Sequence, residues 1–360
     1  MSPVKILFLP KGGRKTGSSR VRIYNHVDRL KDNQNVEVRV IPFRYEVPID
    51  VPRWIYDKSI ELLESVSTLP QAVKWADIIV VQRVLSPLFN RILMISNAPV
   101  VFDLDDALYA TTNSTPGRYQ RDIDSKLKNI FKNIDAIIAG NSTVGEYALQ
   151  FNDNVFVLPT AVNVQEFSPA KSTPDDDSNV TVGWVGNGPS HIENLRILPE
   201  NIKSAEEYDI TFRIIGTQGD PEIESMFDSV PDSKIELIDW IPSQKIPKEV
   251  RRFDIGLMPL VDDNFQRGKC SLKSLEYMAS GVTPVASAVG MNRDVIDDGK
   301  NGRLVHDPSM WEPILSQLIE DTDLRKEMGA EARKTAVRSY ALEVVNKRMI
   351  KILNEVLRDA

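Results

Sequence analysis

Short, near-continuous apolar runs alternate with amphipathic stretches along this whole sequence, and that alternation limits the possible fold more than any other feature. Candidate strands in the first half cover residues 4–10, 36–43, 76–82, 99–104, 136–139 and 155–158. Most are short, near-continuous apolar runs, the pattern of strands buried on both faces. Helical patterns lie between most of them, at 19–31, 122–133 and 144–151. Strands separated by helices make βαβ units and a parallel sheet.

The series then starts again. Strands are expected at 180–185, 211–215, 235–240, 255–259, 283–286 and 303–305, and a long helical region runs from Trp311 onward, with Trp311, Leu315, Leu318 and Ile319 at helical spacing. The segment 168–179, SPAKSTPDDDSN, is too polar to enter a core and reads as a linker. A length of 360 residues exceeds what one core normally supports. The expected architecture is therefore α/β with two Rossmann-like domains, at 1–170 and 178–339, facing across a cleft. Ligands of open parallel sheets bind at the carboxyl ends of the strands, so those ends should line that cleft.

Charge and cysteine content narrow the function classes. A net charge of −7 argues against a general nucleic-acid binder, which needs a broad basic face. The one cysteine, Cys270, excludes an intrachain disulfide and fits a reducing compartment. The first residues hold neither the apolar core of a signal peptide nor a bilayer-length run. A cytoplasmic location is expected, with peripheral membrane contact left open.

The segment 267–287, RGKCSLKSLEYMASGVTPVAS, carries the densest chemistry. Leu272, Leu275 and Met278 form one apolar helical face. Ser271 is placed to cap the start, Gly281 to end the helix, and Pro284 to prevent its return. Lys273 and Glu276 sit away from the apolar stripe, with Arg267 and Lys269 just before the first turn. A helix N-terminus favours an anion, and added cations would make it a diphosphate site. Glu276, one turn on, can accept hydrogen bonds from two ribose hydroxyls. The plainer reading is a solvated helix face on which Lys273 and Glu276 form a local pair.

Other candidates fall at strand ends. Gly186 and Asn187 belong to a strand-to-helix loop, GNGPS, where a missing side chain lets the backbone approach a phosphate; a plain tight turn is the alternative. Gly12 and Gly13 occupy the equivalent loop of the first half, KGGRKTGSS. Arg20 and Arg22 open the following helix, where cations oppose the dipole, so they read as facing an anionic ligand or solvent. Asp103, Asp105 and Asp106 cluster at the end of a strand in VFDLDDALY. Asp106 or Asp103 is expected to cap the next helix and Asp105 to point into the cleft. The Asp103–Asp105 spacing also matches a D-x-D metal site. Ile241, after Trp240, can pack on a nucleobase or in the core. His191 lies beside the GNGPS loop, where it either meets a phosphate or caps a turn. No histidine or cysteine pair has zinc spacing, and no P-loop, nucleophile elbow or dinucleotide fingerprint occurs.

KCSLKSLEYMASGVTPVAS resembles the nucleotide-binding helix of retaining GT-B glycosyltransferases, family 4 in particular. VFVLPTAVNVQEFSP, VGWVGNGPSHIENL, FDIGLMPL and DVIDDGKNGRLVHDP resemble further segments of the family in the same order. The resemblance implies that the second domain binds the donor nucleotide sugar and the first the acceptor. It also implies that a final helix, about 340–360, crosses back to the first domain. Two departures stand out. Gly268 occupies the place of a glutamate that contacts the donor sugar in the family, and Asp105 the place of a histidine.

The expected activity is transfer of a sugar from a nucleoside-diphosphate sugar to a glycan, lipid or small-molecule acceptor, with retention of configuration. Lys269 and Lys273 are expected to stabilise the leaving diphosphate and Asp105 to act in catalysis. Gly186, Asn187, Arg267, Glu276 and Ile241 complete the donor site. Gly12, Gly13, Arg20, Asp103 and Asp106 line the acceptor side. No cofactor and no divalent metal are expected, since side chains supply the cations. A sugar-nucleotide epimerase or hydrolase, and a non-catalytic sugar-nucleotide-binding protein, are the rival readings.

Overall fold

The computed structural model describes residues 2–31, 33–43, 68–86, 90–91, 93, 96–110, 117–170, 179–201 and 208–360. The chain divides into two compact units, one of Met1–Ala161, Gly268–Cys270 and Leu342–Ala360, the other of Val162–Arg267 and Ser271–Ala341. The first unit is built on six parallel strands: β1 (Val4–Pro10), β2 (Val36–Val40), β3 (Ile78–Gln82), β4 (Val100–Leu104), β5 (Ala136–Ala139) and β6 (Val155–Val157). Their order is β2-β1-β3-β4-β5-β6. Alternate side chains go to opposite faces, as the pleat requires. Leu7, Leu9, Ile79, Val81, Phe102 and Leu104 pack on one side against α2 (Gly117–Phe131) and α3 (Ser142–Leu149). Ile6, Phe8, Ile78, Val80 and Val101 pack on the other, against a helical stretch over 17–30 and α4 (Leu342–Asp359).

The second unit repeats the plan with β7 (Val180–Val185), β8 (Ile210–Ile215), β9 (Ile235–Ile238), β10 (Ile255–Met258), β11 (Thr283–Ser287) and β12 (Arg303–Val305). The order β12-β11-β10-β7-β8-β9 is the doubly wound dinucleotide-fold order read from the far edge. Its core includes Val182, Trp184, Phe212, Ile214, Leu257, Trp311 and Leu315. The first unit ends at Ala161, ahead of the expected linker, because the following residues are tied into the second unit. Val162 bridges to Ala341, and Arg333 donates to the carbonyls of Phe167 and Val164 at 2.7 and 2.9 Å. Residues 171–178 of that expected linker lie outside the described residues.

His26, in the 17–30 stretch, is fully buried, and its Nδ1 meets Asn346 Oδ1 of α4 at 3.1 Å. Burial and the nearby Arg22 charge push its pKa down to about 4, against the opposing pull of the Asn346 hydrogen bond. The unfolded chain takes up this proton near pH 6.5 and the folded chain only near 4. The stability involved is therefore intact above about pH 6.5 and lost as the pH falls toward 4, about 3 kcal/mol in all. Urea unfolding at pH 7.5 and 4.5 should show wild type losing about 2–3 kcal/mol more than His26→Gln across that interval. Equal losses would contradict a buried neutral imidazole.

Candidate active site

In the second unit the strand order reverses between β7 and β10, and ligand crevices of such sheets open at that point. The loop after β7 is drawn in tightly. Gly186 N donates to Ile215 O at 3.0 Å and Gly188 N to Gly216 O at 2.8 Å. A Cβ on Gly216, whose φ is +100°, would lie 1.8 Å from Gly186 O, so only glycine fits there. Past β10 comes the helix Leu272–Ala279. Its C-terminus is a Schellman turn: Gly281 N donates to Met278 O and Val282 N to Tyr277 O, both at 3.0 Å. Its N-terminus departs from expectation. Ser271 has φ +51° and caps nothing; its hydroxyl donates instead to Asn292 Oδ1 at 2.6 Å. The first turn thus has no side-chain cap.

Lys273 lies across the loop. Its Nζ is 3.0 Å from His191 Nε2 and 5.4 Å from the centre of the Trp184 ring. A Cβ on Gly186 would come within 2.7 Å of Lys273 Cε, so the glycine makes room for the lysine. Glu276 is buried, 8% exposed, which goes against the plainer reading of a solvated helix face. Tyr277 anchors the helix to both switch-point strands, accepting from Val185 N and donating to Leu257 O. Asn187 is exposed, and its Oδ1 accepts from Gln218. Arg267, half-exposed, pairs with Asp262 at 2.6 Å. Trp240 is 63% exposed just past β9, which excludes the core-packing reading for it, and Ile241 beside it is half-buried.

In the first unit the strand order reverses between β1 and β3. Gln82, ending β3, accepts from Lys11 N and from the Ser19 hydroxyl, and Ser19 accepts from Gly12 N. Gly12 is buried, and a Cβ there would strike Thr16 Oγ1; Gly13 O accepts from Thr16 N. Arg20 is half-buried. Arg22 faces no ligand. It is buried, forked onto Asp103 at 3.2 and 2.6 Å, with a third bond to Leu158 O. Asp103 therefore caps no helix and is committed to this ion pair. Burial pushes its carboxyl upward while the guanidinium opposes that.

Asp105 and Asp106 share a different cation, Arg83. One guanidinium nitrogen donates to Asp105 Oδ1 at 3.1 Å and to Asp106 Oδ2 at 2.9 Å. Lys269 Nζ lies 3.4 Å from the other Asp106 oxygen. Burial works to raise the Asp106 carboxyl, but the charges and hydrogen bonds of Lys269 and Arg83 outweigh it and hold it below the ordinary range. Asp106 is thus an ion-pair partner where a helix cap was expected. Arg83, unforeseen from the sequence, has φ +57° and a buried Nε without a partner, two costs at one residue.

Gly268–Cys270 belongs to this first unit rather than to the second. Asn141 caps α3 through Val144 N and donates to Gly268 O at 2.7 Å. The Cys270 thiol donates to Asp105 O at 2.6 Å, and burial pushes its pKa up to about 12, so it stays protonated. A Cβ on Gly268 would lie 2.3 Å from Ala107 Cβ and 2.7 Å from its backbone N. That contact leaves no space for a glutamate there. Two groups of expected residues are therefore brought together: Gly186 with Lys273, and Asp105 with Asp106 and Lys269. Among the described residues no group of three or more His, Cys, Asp or Glu is arranged to hold a metal ion, and no helix is long and apolar enough to cross a membrane.

Residues 179–321 match the family described as Glycosyl transferases group 1. Over that stretch the chain is similar to the group 1 glycosyltransferases. The chain is 26% identical over 204 residues to the D-inositol 3-phosphate glycosyltransferase of Corynebacterium diphtheriae, covering 50% of this chain and 46% of that protein. The chain thus spans about half the length of that curated relative. Among solved structures it is similar to sucrose-phosphate synthase from Thermosynechococcus elongatus, with TM-score 0.75, 14% identity, and 99% and 100% of the two chains covered. It is also similar to Anabaena HepE in complex with UDP and glucose, with TM-score 0.71, 16% identity, and 98% and 99% covered. The fold that the chain shares with these structures is GT-B, two Rossmann-like α/β units.

Proposed function

We propose that this chain transfers a sugar from a nucleoside-diphosphate sugar to a glycan, lipid-linked or small-molecule acceptor, with retention of configuration. The observation that carries this reading is the uncapped start of the helix Leu272–Ala279, with Lys273 lying over Gly186 at the switch point of the second sheet. Backbone N–H groups, the helix dipole and one ammonium converge there on the space a diphosphate needs. HepE, of similar fold, has been solved with UDP and glucose. In this reading Lys273 binds the diphosphate and Glu276 accepts from the ribose hydroxyls. Gly186 and Asn187 border the phosphates, and Ile241 with exposed Trp240 covers the base.

The chemistry asks little acid–base work of the protein. The bond between the anomeric carbon and the diphosphate oxygen breaks and its electron pair stays on the diphosphate, while an acceptor hydroxyl oxygen bonds to that carbon and gives its proton to the departing diphosphate. A leaving group already so stabilised requires no general acid, and preorganised positive charge around it is the main catalytic contribution. Lys273 supplies the larger part, because Lys269 is already engaged with Asp106. The cations come from side chains, so no metal enters the scheme. Asp105 stands at the sugar or acceptor.

A thermal-shift panel of UDP, GDP and ADP tests the reading. A ligand at a hundred times its Kd stabilises by about 2.7 kcal/mol, so one of the three should raise Tm by several degrees. The corresponding donor sugar should then be consumed only in the presence of an acceptor. Rapid turnover of donor alone would point to a hydrolase or epimerase, and no shift with any nucleotide would remove the donor site.

A further inference from the structure

We infer that Asn292 is a positioning residue for donor binding: by holding the Ser271 hydroxyl it keeps that serine from capping its own helix, and so leaves the first turn open to the diphosphate. The inference rests on the nucleotide reading above. A serine directly ahead of a helix ordinarily has extended backbone, and its hydroxyl oxygen accepts from the N–H two or three residues on. Ser271 does neither. Its φ and ψ are +51° and +28°, in the left-handed region that residues with a side chain seldom occupy, and its hydroxyl caps nothing. The hydroxyl meets Asn292 Oδ1 at 2.6 Å instead. The direction of that bond is fixed. Asn292 Nδ2 donates to Ser287 O at 3.0 Å, and a carbonyl only accepts, so the branch facing Ser271 is the oxygen and Ser271 is the donor. Ser287, which ends β11, is held in turn by Leu260 N, which donates to its hydroxyl at 2.9 Å. Asn292 and Ser271 are each 1% exposed, so the pair is shielded from solvent.

The consequence is a run of donors without acceptors. Among the described residues, the amides of Leu272 and Ser274 donate to no group, and the fully buried Ser274 hydroxyl has no partner. Donors left in that state are costly unless something else supplies the acceptor. A diphosphate oxygen is such an acceptor. A serine that capped the turn would occupy one of the same N–H groups, so it would compete with the ligand. Asn292 removes the competitor without itself touching the nucleotide.

A double-mutant cycle separates this role from simple packing. Calorimetry gives the affinities of UDP, GDP and ADP for wild type, Asn292→Ala, Ser271→Gly and the double variant, with thermal melting as the check on folding. Should Asn292→Ala fail to melt cooperatively, the cycle is run with Asn292→Leu, which fills the volume without offering an acceptor. With Ser271 present, the Asn292 substitution frees the hydroxyl to cap the helix and should weaken the diphosphate that wild type binds by about five- to tenfold, the worth of a typical N-cap. Glycine adopts the left-handed conformation without strain and has no hydroxyl. On the Ser271→Gly background the same substitution should therefore cost less than about twofold. Affinity for the parent nucleoside should not respond to the Asn292 substitution on either background. Equal losses of diphosphate affinity on both backgrounds, or no loss on either, overturns the inference and leaves the nucleotide reading standing. No binding of any of the three diphosphates by wild type removes both.

Discussion

Lys273→Ala is expected to weaken nucleoside diphosphate binding by about ten- to a hundredfold while leaving the folded state nearly unchanged. A hydrogen bond from an ammonium to a phosphate is worth about 1.5–3 kcal/mol, and each 1.4 kcal/mol is tenfold in affinity. The side chain is half-buried against Trp184 and crosses a loop whose glycine tolerates it, so its removal opens no core cavity. Calorimetry with the diphosphate selected by the thermal-shift panel, alongside urea unfolding, reads both quantities. Affinity unchanged within twofold would take the phosphate away from this helix. A large loss of stability would recast Lys273 as a packing residue.

Asp105→Asn should lower kcat by roughly a hundredfold, the effect typical of a positioned electrostatic group, with donor affinity nearly unaltered. The substitution keeps the shape and removes the charge. Asp105 directly follows β4, beside Arg83, and is 7% exposed. A carboxylate held there can stabilise the positive charge that grows on the sugar ring as the glycosidic bond loosens, an interaction stronger in the transition state than in the ground state. A loss confined to kcat is the signature of that difference. Full activity in the variant would return Asp105 to a purely structural ion pair with Arg83. Activity that vanishes with a chelator and returns with Mn²⁺ would favour metal binding, although Asp103 is already committed to Arg22.

The strands were legible because a parallel sheet covered on both faces demands continuous apolar runs, and few other structures do. All twelve strands appear where they are expected, the partly exposed edge strands β2 and β9 with polar residues among their apolar ones, and β1, β5, β7 and β12 have the same ends in sequence and structure. The helix Leu272–Ala279 and the loop at Gly186 were legible for a similar reason, since caps, glycines and helical spacing are local signals. What escaped was pairing across distance. Arg22 finds Asp103 81 positions away, and Asn141 reaches Gly268 127 positions away. Neither has a local pattern to announce it. Arg83 showed only as a polar pair, Gln82–Arg83, closing an apolar strand. Ser271 had the right identity and place for a cap, yet Asn292 offered its hydroxyl a nearby acceptor, and its left-handed backbone went with that choice.

The discontinuous make-up of the first unit has a bearing on biosynthesis. Ile6, Phe8, Val27, Leu30, Val80 and Val101 are covered in part by Leu342, Val345, Met349, Leu353 and Val356. As the chain emerges from the ribosome, the early strands can pair and one face of their sheet can be clothed at once by α2 and α3. The opposite face, covered until then only by the 17–30 stretch, waits for α4 to complete it. At ~5–20 residues per second, the roughly 180 residues between Ala161 and Leu342 keep it waiting for roughly ten to forty seconds. The second unit, assembled almost wholly from that intervening stretch, can therefore finish folding before the first. Nascent chains of this topology leave part of an apolar sheet face uncovered for about half of their translation, the kind of surface that recruits chaperones.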